Sequence, residues 1–326
     1  EQYALNSNGK VKTLIEFITK KTASLFFEII NKDNRSEGYT IYLLSGDILE
    51  FRRKQIIKSI KNVENSKIIV VSTQVIEAGV DIDMDLGFKD SSLIDSDEQL
   101  AGRINRNASK DNCIVYIFDC DNAKTIYGKD TRYKVQQTDQ EIYDDYRKIL
   151  VKKQFHSLYE KVFTEKRKRM QTNLHASGQY YQYFLDFDFW KIHKEFVLIE
   201  NNDSQQLFIP ILIPTIYFEN KQLLQQLDIL SKDKEFVDGE KVFTAYMNII
   251  KSEYDDFVLK QIDLKQIGSI ISQFSISVYR KQLESISSIL EPEKSKFGLQ
   301  YLLNHKLCYT PEWGFDSNKI DTSNFL

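Results

Sequence analysis

The sequence predicts an α/β fold with a parallel sheet, followed by a smaller mixed α+β region. Apolar runs typical of buried strands alternate with segments of helical spacing over the first 120 residues. Such near-continuous apolar strands are typical of parallel sheets with helices on both faces. Beyond Asp121 this alternation ends. We therefore expect two domains, at residues 1–125 and 126–326.

Four strands and two helices are predicted in the first domain. Ligands of such sheets bind at loops beyond the carboxyl ends of the strands, so functional residues are expected in those loops. The predicted strands are Lys12–Phe17, Thr40–Leu44, Lys67–Ser72 and Asn112–Phe118, and the predicted helices are Lys20–Asn31 and Leu49–Lys61.

The second domain begins with what the spacing predicts to be one long helix, Asp139–Met170, because apolar residues recur every three to four positions. A hairpin is predicted from Glu195–Ile199 and Gln206–Ile213. Two further helices and a strand complete the prediction, at Glu240–Phe257, Asp263–Phe274 and Ser275–Tyr279.

Composition excludes several classes of protein. A hydrophobic fraction of 42% excludes a disordered chain. Cys113, Cys120 and Cys308 show no CxxC spacing, so a disulfide framework and a structural zinc site are both excluded. No apolar run approaches the ~20 residues of a membrane span. We therefore expect a cytoplasmic protein, and its net charge of −3 gives no hint of a nucleic-acid partner.

The segment Val70–Asn107 carries the most chemical information. A strand delivers Thr73 and Gln74 to its carboxyl end, and Gly79 and Asp81 follow. The later pattern QxxGRxxR, over residues 99–106, would place two guanidinium groups on one side of a helix. Such a pair suits a developing phosphoryl charge, whereas the alternative is an ordinary pair of surface arginines.

These two blocks resemble motifs V and VI of superfamily-two helicases. The run STQVIEAGVDID, the following DLGFKD and LIDS, and the ending GRINRN are together similar to the type I CRISPR-associated helicase–nuclease (the Cas-three family). YLLSGDILEFRRKQIIKSIK resembles the motif IV region of that family, and FSISVY and YTPEWGF loosely resemble its C-terminal domain. The resemblance implies that residues 1–125 are a second RecA-like helicase lobe.

The resemblance also implies a nucleotide site on this lobe. Arg103 and Arg106 would act as arginine fingers on the γ-phosphate of ATP, and Gln99 would help to order the cleft. Gly79, Asp81 and Gly102 would contact the nucleotide, with the Asp81 carboxylate accepting from ribose hydroxyls.

A DNA contact is implied at the strand ends. Thr73 and Gln74 would meet the phosphates of a single strand, with Ser45 and Arg53 as further candidates. Glu77 has two interpretations: it couples the nucleotide and DNA loops, or it merely caps its own turn.

Several expected motifs are missing from this sequence. No G-x-x-x-x-G-K-[ST] occurs, and Asp97-Glu98 only imitates a Walker B pair. None of the four histidines precedes an aspartate, so no nuclease metal site is predicted. The phosphate-cradling groups and the Mg²⁺ ligands would therefore come from an upstream lobe. We expect the chain to be a fragment that does not hydrolyse ATP alone.

Two surface features each have two interpretations. The basic run Lys166–Arg169 could touch nucleic acid, or it could be a solvated helix end. The aromatic stretch Tyr180–Trp190 could stack single-stranded bases, but we expect burial in the second domain.

The predicted function is the C-terminal half of an ATP-dependent single-stranded DNA translocase in type I CRISPR interference. The resemblance implies 3′ to 5′ movement, an RNA-guided surveillance complex of the Cascade type as partner, and an upstream lobe and His-Asp nuclease domain in the same parent protein. One alternative is a lobe of another superfamily-two DNA or RNA helicase. Another is a non-catalytic docking module.

Overall fold

The computed structural model describes residues 11–62, 67–77, 79–111, 113–172, 174–195, 203–295 and 298–319. Its first part contains a five-stranded sheet in the order β2-β3-β1-β4-β5, and every neighbouring pair is parallel. This confirms the predicted fold class. The strands are β1 (Lys12–Glu16), β2 (Thr40–Leu44), β3 (Ile68–Ser72), β4 (Leu86–Asp90) and β5 (Ile114–Phe118).

Strand β4 is absent from the sequence prediction, although it pairs with β1 near the middle of the sheet. Its sequence, LGFKD, contains two charged residues that are both fully buried. Lys89 is ion-paired with Glu16 at 2.7 Å, and the Asp90 carboxylate accepts a hydrogen bond from the Cys120 backbone N–H at 2.8 Å. Because buried pairing replaces apolar character here, hydrophobic periodicity does not detect this strand.

Helices cover both faces of the sheet. Ala23 and Phe27 of α1 pack on one face with Val71 of β3. Ile60 of α2 and Leu100 of α3 pack on the other face. The bounds are α1 (Lys20–Lys32), α2 (Glu50–Asn62) and α3 (Ile94–Ala101).

Among the described residues up to Glu195, six helices follow the sheet, and the predicted single helix Asp139–Met170 is wrong. Helix α6 ends at Lys152, and Lys153 adopts a left-handed conformation with φ 53° and ψ 35°. The apolar repeat continues across this break, since Ile149 and Leu158 share one buried cluster. The helices are α4 (Ala123–Tyr127), α5 (Thr131–Thr138), α6 (Gln140–Lys152), α7 (His156–Thr172), α8 (Leu174–Leu185) and α9 (Phe189–Glu195).

The aromatic side chains over residues 181–190 are exposed except for the half-buried Tyr183, so the expected burial of this stretch is wrong. Phe187 is 77% exposed and Trp190 is 68% exposed. Tyr181, Phe184 and Phe189 are also more than half exposed. The basic run Lys166–Arg169 is exposed as well.

The C-terminal part contains three small sheets. Strand β6 pairs antiparallel with β9 and parallel with β10, β7 pairs with β8, and β11 pairs with β12. The strands are β6 (Ser204–Phe208), β7 (Leu212–Pro214), β8 (Phe236–Asp238), β9 (Ser275–Tyr279), β10 (Leu299–Tyr301), β11 (Tyr309–Thr310) and β12 (Gly314–Phe315). The helices are α10 (Lys221–Gln226), α11 (Gly239–Lys251), α12 (Phe257–Ile271) and α13 (Arg280–Ser285).

The predicted hairpin is only partly open to comparison. Its first arm begins at the last residue of α9, and residues 196–199 lie outside the described residues. Its second arm is divided between β6 and β7, which belong to different sheets, so that part of the prediction is wrong. Strand Ser275–Tyr279 is confirmed.

Residues 313–315 pack on the loop that follows β2 and on α1. The Phe315 backbone N–H donates to the Asp47 carbonyl at 2.9 Å, and the ring of Trp313 meets Phe27 with centroids 5.0 Å apart. Leu49 lies in the same hydrophobic cluster as β6 and β9. The C-terminal part is therefore fixed to the first sheet, and the division near residue 125 stays a prediction.

Candidate nucleotide and nucleic-acid site

The loop between β3 and β4 presents a row of acidic side chains. Val80, Ile82 and Met84 are 3%, 2% and 0% exposed, so they anchor the loop on the core of the sheet. The residues between and after them are aspartates at positions 81, 83 and 85. Alternation of apolar and acidic residues therefore directs the aspartates away from the core.

Gly79 begins this row in a left-handed conformation with φ 72°. A Cβ added there would meet no atom within 4 Å. The positive φ therefore favours glycine at this turn. Among the described residues, no atom near the Gly79 Cα would obstruct a ligand.

The two arginines do not lie on a helix, so the predicted i, i+3 arrangement is wrong. Helix α3 ends at Ala101, and Gly102 caps it. Residues 103–105 then pair with Met84, since Met84 N–H donates to the Arg103 carbonyl at 2.9 Å and Asn105 N–H donates to the Met84 carbonyl at 2.8 Å. Asn105 has φ 50°, which turns the chain again before Arg106.

Arg106 nevertheless reaches the acidic loop. Its Nε lies 3.4 Å from Asp81 Oδ1, and its backbone N–H donates to Asp83 Oδ1 at 2.8 Å. Lys61 of α2 approaches Asp81 from the other side, at 2.5 Å. Hydrogen bonding to Lys61, followed by the charges of Lys61 and Arg106, lowers the pKa of Asp81.

Arg103 binds the start of the same loop through its backbone. Its Nε–H donates to the Ile76 carbonyl at 3.2 Å, and Nη2 donates to the Glu77 carbonyl at 2.6 Å. Partial burial, followed by the charge of Arg106, lowers the pKa of Arg103. A guanidinium has five N–H donors, so donors for an anion remain beside these two contacts.

A cavity of about 490 Å³ lies beside Asp81 and Arg106. Four cationic side chains and two carboxylates line it, and this excess of cations suits a phosphate-bearing ligand. The lining residues are Lys12, Ile60, Lys61, Asp81, Ile82, Asp83, Arg106, Asn107 and Lys110.

Of the residues predicted for this site, Asp81 and Arg106 line this cavity, whereas Gly79, Gln99, Gly102 and Arg103 do not. Gln99 is exposed on α3 and does not line the cavity of Asp81 and Arg106. Gly102 lines a different cavity, between α3, β5 and α6, together with Val115 and Leu150. Both were predicted from the family resemblance, and their role at the nucleotide stays a prediction.

The predicted DNA-contacting residues gather at the carboxyl ends of β2 and β3. Ser45 and Thr73 are 1% and 3% exposed. The Gln74 side chain donates to the Ile18 carbonyl at 2.9 Å and to the Tyr127 hydroxyl at 3.0 Å. These three side chains are therefore engaged or covered, and their contact with DNA stays a prediction.

Arg53, the fourth candidate, lies in the first turns of α2. It pairs with Glu50 at 3.6 Å. Within the described part of the chain, no hydrogen bond or ion pair links it to Ser45, Thr73 or Gln74.

A buried polar cluster lies behind the acidic loop and was not predicted from the sequence. Lys89 and Glu16 are fully buried and paired, and Glu77 Oε1 lies 3.7 Å from Lys89 Nζ. Asp97 of α3 accepts a hydrogen bond from the Tyr146 hydroxyl of α6. The signal was present in the two charges of the apolar-flanked LGFKD, which imply buried partners if that segment is a strand.

Among the described residues, no group of three or more His, Cys, Asp or Glu side chains is arranged to hold a metal ion. Within the same ranges, no helix combines the length and apolar character that crossing a bilayer requires.

Comparison with known proteins addresses the predicted family. Residues 10–109 match the family described as the C-terminal part of the CRISPR-associated nuclease/helicase Cas3. The CRISPR-associated nuclease/helicase Cas3 of Methanothermobacter thermautotrophicus is 31% identical over 182 residues, which is 52% of this chain. The predicted resemblance to Cas3 is confirmed. The chain spans only 21% of the length of that Cas3 relative.

Solved Cas3 structures are also similar in outline. T. fusca Cas3 matches with 14% identity and a TM-score of 0.47, over 92% of this chain and 37% of that chain. The T. fusca Cas3-ATP structure matches with 12% identity and a TM-score of 0.47, over 96% of this chain and 38% of that one. The α/β assignment itself comes from the five-stranded parallel sheet.

Proposed function

We propose that this chain is the second RecA-like lobe and accessory region of an ATP-dependent single-stranded DNA translocase in type I CRISPR interference. Its similarity to the C-terminal part of Cas3 supports the family, and the arginine pair supports the role. The parent protein would unwind and degrade foreign DNA. It would be cytoplasmic and would act with an RNA-guided surveillance complex.

The convergence of Arg103 and Arg106 on one loop carries this proposal. Arg106 lies 3.4 Å from Asp81, and Arg103 binds the carbonyls of Ile76 and Glu77. Two permanently charged groups thus bracket a short loop that borders a cation-rich cavity. This arrangement can stabilise charge that develops on a transferred phosphoryl group.

The residues on and beside this loop have defined tasks in this proposal. Arg106 and Arg103 bind the γ-phosphate of ATP when the upstream lobe closes on this one. Asp81 accepts from the ribose hydroxyls, and Gly79 allows the nucleotide to approach the backbone. Lys61, which is paired with Asp81 at 2.5 Å, orients that carboxylate.

The remaining parts of the ATPase would come from the upstream lobe. Asp81 and Asp83 are already engaged by Lys61, Arg106 and Lys110. The Mg²⁺ ligands and the phosphate-cradling loop would therefore lie on that lobe, and the His-Asp nuclease domain would lie further upstream. This chain alone would not hydrolyse ATP.

DNA would lie near the carboxyl ends of β2 and β3, at Ser45, Thr73 and Gln74. The loop after Thr73 leads directly to Ile76 and Glu77, whose carbonyls bind Arg103. Movement of Arg103 on hydrolysis would thus shift the DNA-facing end of the same loop, which is how lobe closure would drive translocation.

The proposal is tested by ATP turnover with and without single-stranded DNA. The purified 326-residue chain should show no turnover, and the longer parent protein should show DNA-stimulated turnover and 3′ to 5′ unwinding. DNA-stimulated turnover by the chain alone that survives Arg103→Ala contradicts the proposal.

A further inference from the structure

Lys89 is a fully buried lysine in the middle of the sheet. It lies on β4 and is bound by two carboxylates from different elements: Glu16 of β1 at 2.7 Å, and Glu77 of the loop after β3 at 3.7 Å. A buried ion pair of this kind is a weak source of stability, because desolvation cancels much of the attraction. The role of this ion pair is therefore to fix the geometry of the groups that it joins.

Glu77 transmits that geometry to the loop. Its carboxylate faces Lys89 and also accepts a hydrogen bond from the Ser96 hydroxyl of α3. The carbonyl of the same residue accepts from Arg103 Nη2 at 2.6 Å. Since side chain and carbonyl belong to one residue, a fixed carboxylate restricts the direction in which the carbonyl points.

We propose that Lys89 is a positioning residue for Arg103, acting through Glu77. Lys89 holds the Glu77 carboxylate inside the lobe, and the Glu77 and Ile76 carbonyls then hold the guanidinium of Arg103 against the loop after β3. The inference rests on the proposed function for its kinetic consequence, but the contact itself does not depend on that function.

Hydrogen bonds from neighbouring helices hold the other polar groups of this cluster in place, as the positioning role requires. Asp97 and Tyr146 are hydrogen-bonded to each other, and Ser96 is bound to Glu77, so these groups connect α3 and α6 to the same loop. Glu16 Oε2 and Asp97 Oδ1 are buried without a hydrogen-bond partner among the described residues. The carboxylates of Glu16 and Glu77 thus share one ammonium group, and removal of Lys89 leaves Glu77 without its buried cation.

The first test uses this chain and the Nε–H signal of Arg103 in a nitrogen-15 NMR spectrum, assigned with Arg103→Lys. We expect Lys89→Met to shift that signal and to increase its exchange with water. Glu77→Gln should do the same while leaving the Lys89–Glu16 pair intact, so it replaces Lys89→Met if that variant does not fold. Lys161→Met is the control and should leave the signal unchanged, because it breaks an ion pair between Lys161 on α7 and Asp139 before α6. An unchanged Arg103 signal in Lys89→Met or Glu77→Gln overturns the inference.

The second test uses ATP turnover by the parent protein. We expect Lys89→Met or Glu77→Gln to lower kcat about tenfold or more with less than about a threefold change in KM, because misplacement of a group that acts in the transition state affects kcat. In an Arg103→Ala background the same substitution should lower kcat by less than about twofold. An equal loss in both backgrounds overturns the inference.

The two tests separate this inference from the proposed function. If Arg103→Ala leaves turnover unchanged, the proposed finger is wrong, and the NMR signal still decides whether Lys89 positions Arg103. If Arg103→Ala abolishes turnover while Lys89→Met and Glu77→Gln leave kcat unchanged, the proposed function stands and the inference about Lys89 is overturned.

Discussion

Arg103 donates a hydrogen bond from Nη2 to the carbonyl oxygen of Glu77 at 2.6 Å. This bond joins the end of the α3 segment to the loop after β3, which are separated by about two dozen residues in the sequence. Arg103 can reach the Glu77 carbonyl because α3 ends at Ala101 and the following residues pair with Met84. The non-helical turn after α3 is therefore what places the arginines.

That turn can be tested at Ala108, which has φ 49° and an exposed side chain. Because a left-handed conformation is unfavourable for alanine, Ala108→Gly should raise the free energy of unfolding by about 0.5–1 kcal/mol. Ala101→Gly, at the end of α3, should lower it by about the same amount. Urea denaturation measures both. Destabilisation by Ala108→Gly would mean that the segment continues as a helix.

The packing of the C-terminal hairpin can be tested at Gly314. A Cβ there would lie 2.6 Å from the Asp47 carbonyl oxygen, and φ is 73°. Gly298 has a similar φ of 79° but nothing within 4 Å of a Cβ, so it is the matched control. Backbone strain should lower the free energy of unfolding of both alanine variants by about 1 kcal/mol. The clash with Asp47 should lower that of Gly314→Ala by about 1–3 kcal/mol more.

Urea denaturation of the two variants gives the comparison directly. Limited proteolysis should also release the end of the chain faster in Gly314→Ala than in Gly298→Ala. Equal stability of the two variants would show that the hairpin does not pack on the Asp47 loop.

The buried cluster predicts a dependence of stability on pH. Burial raises the pKa of Asp97 to about 6, against the opposing hydrogen bond from Tyr146 and charge of Lys89. Between the unfolded and folded pKa values the folded state binds more protons, so this group removes stability as the pH rises from about 4 to about 6. Over the whole range, the free energy of unfolding falls by roughly 3 kcal/mol for this rise in the pKa of Asp97.

Asp97→Asn cannot ionise and still offers an oxygen to Tyr146. Its stability relative to the wild type should therefore increase by about 2 kcal/mol between about pH 4.5 and about pH 7.5. Urea denaturation at the two pH values gives this difference. A difference that stays constant with pH would show that Asp97 ionises freely in the folded protein.

Sequence reasoning predicted four of the five strands of the first sheet, because each of the four contains a run of apolar residues. It missed β4, since Lys89 and Asp90 are buried by pairing rather than by apolar character. It also joined α6 to α7, because the apolar repeat continues across the left-handed Lys153. Local periodicity does not report where a single residue reverses the backbone.

The candidate site was predicted in composition but not in geometry. Spacing alone placed Arg103 and Arg106 on a helix, whereas pairing with Met84 places them on a turn. Lys61 and Lys89 were not predicted as site residues, since their roles depend on contacts with Asp81 and Glu77 that only the folded chain provides. The exposed aromatics of α8 and α9 were misassigned because composition does not reveal which side chains find partners.

The central claim is that Arg103 and Arg106 act on a phosphoryl group in a longer ATPase. The most direct measurement is DNA-stimulated ATP turnover by the parent protein carrying Arg106→Ala, with Arg147→Ala on the exposed face of α6 as the matched control. We expect Arg106→Ala to lower kcat by about 10³-fold and Arg147→Ala to leave it unchanged. Turnover by Arg106→Ala at the rate of the wild type would contradict the account.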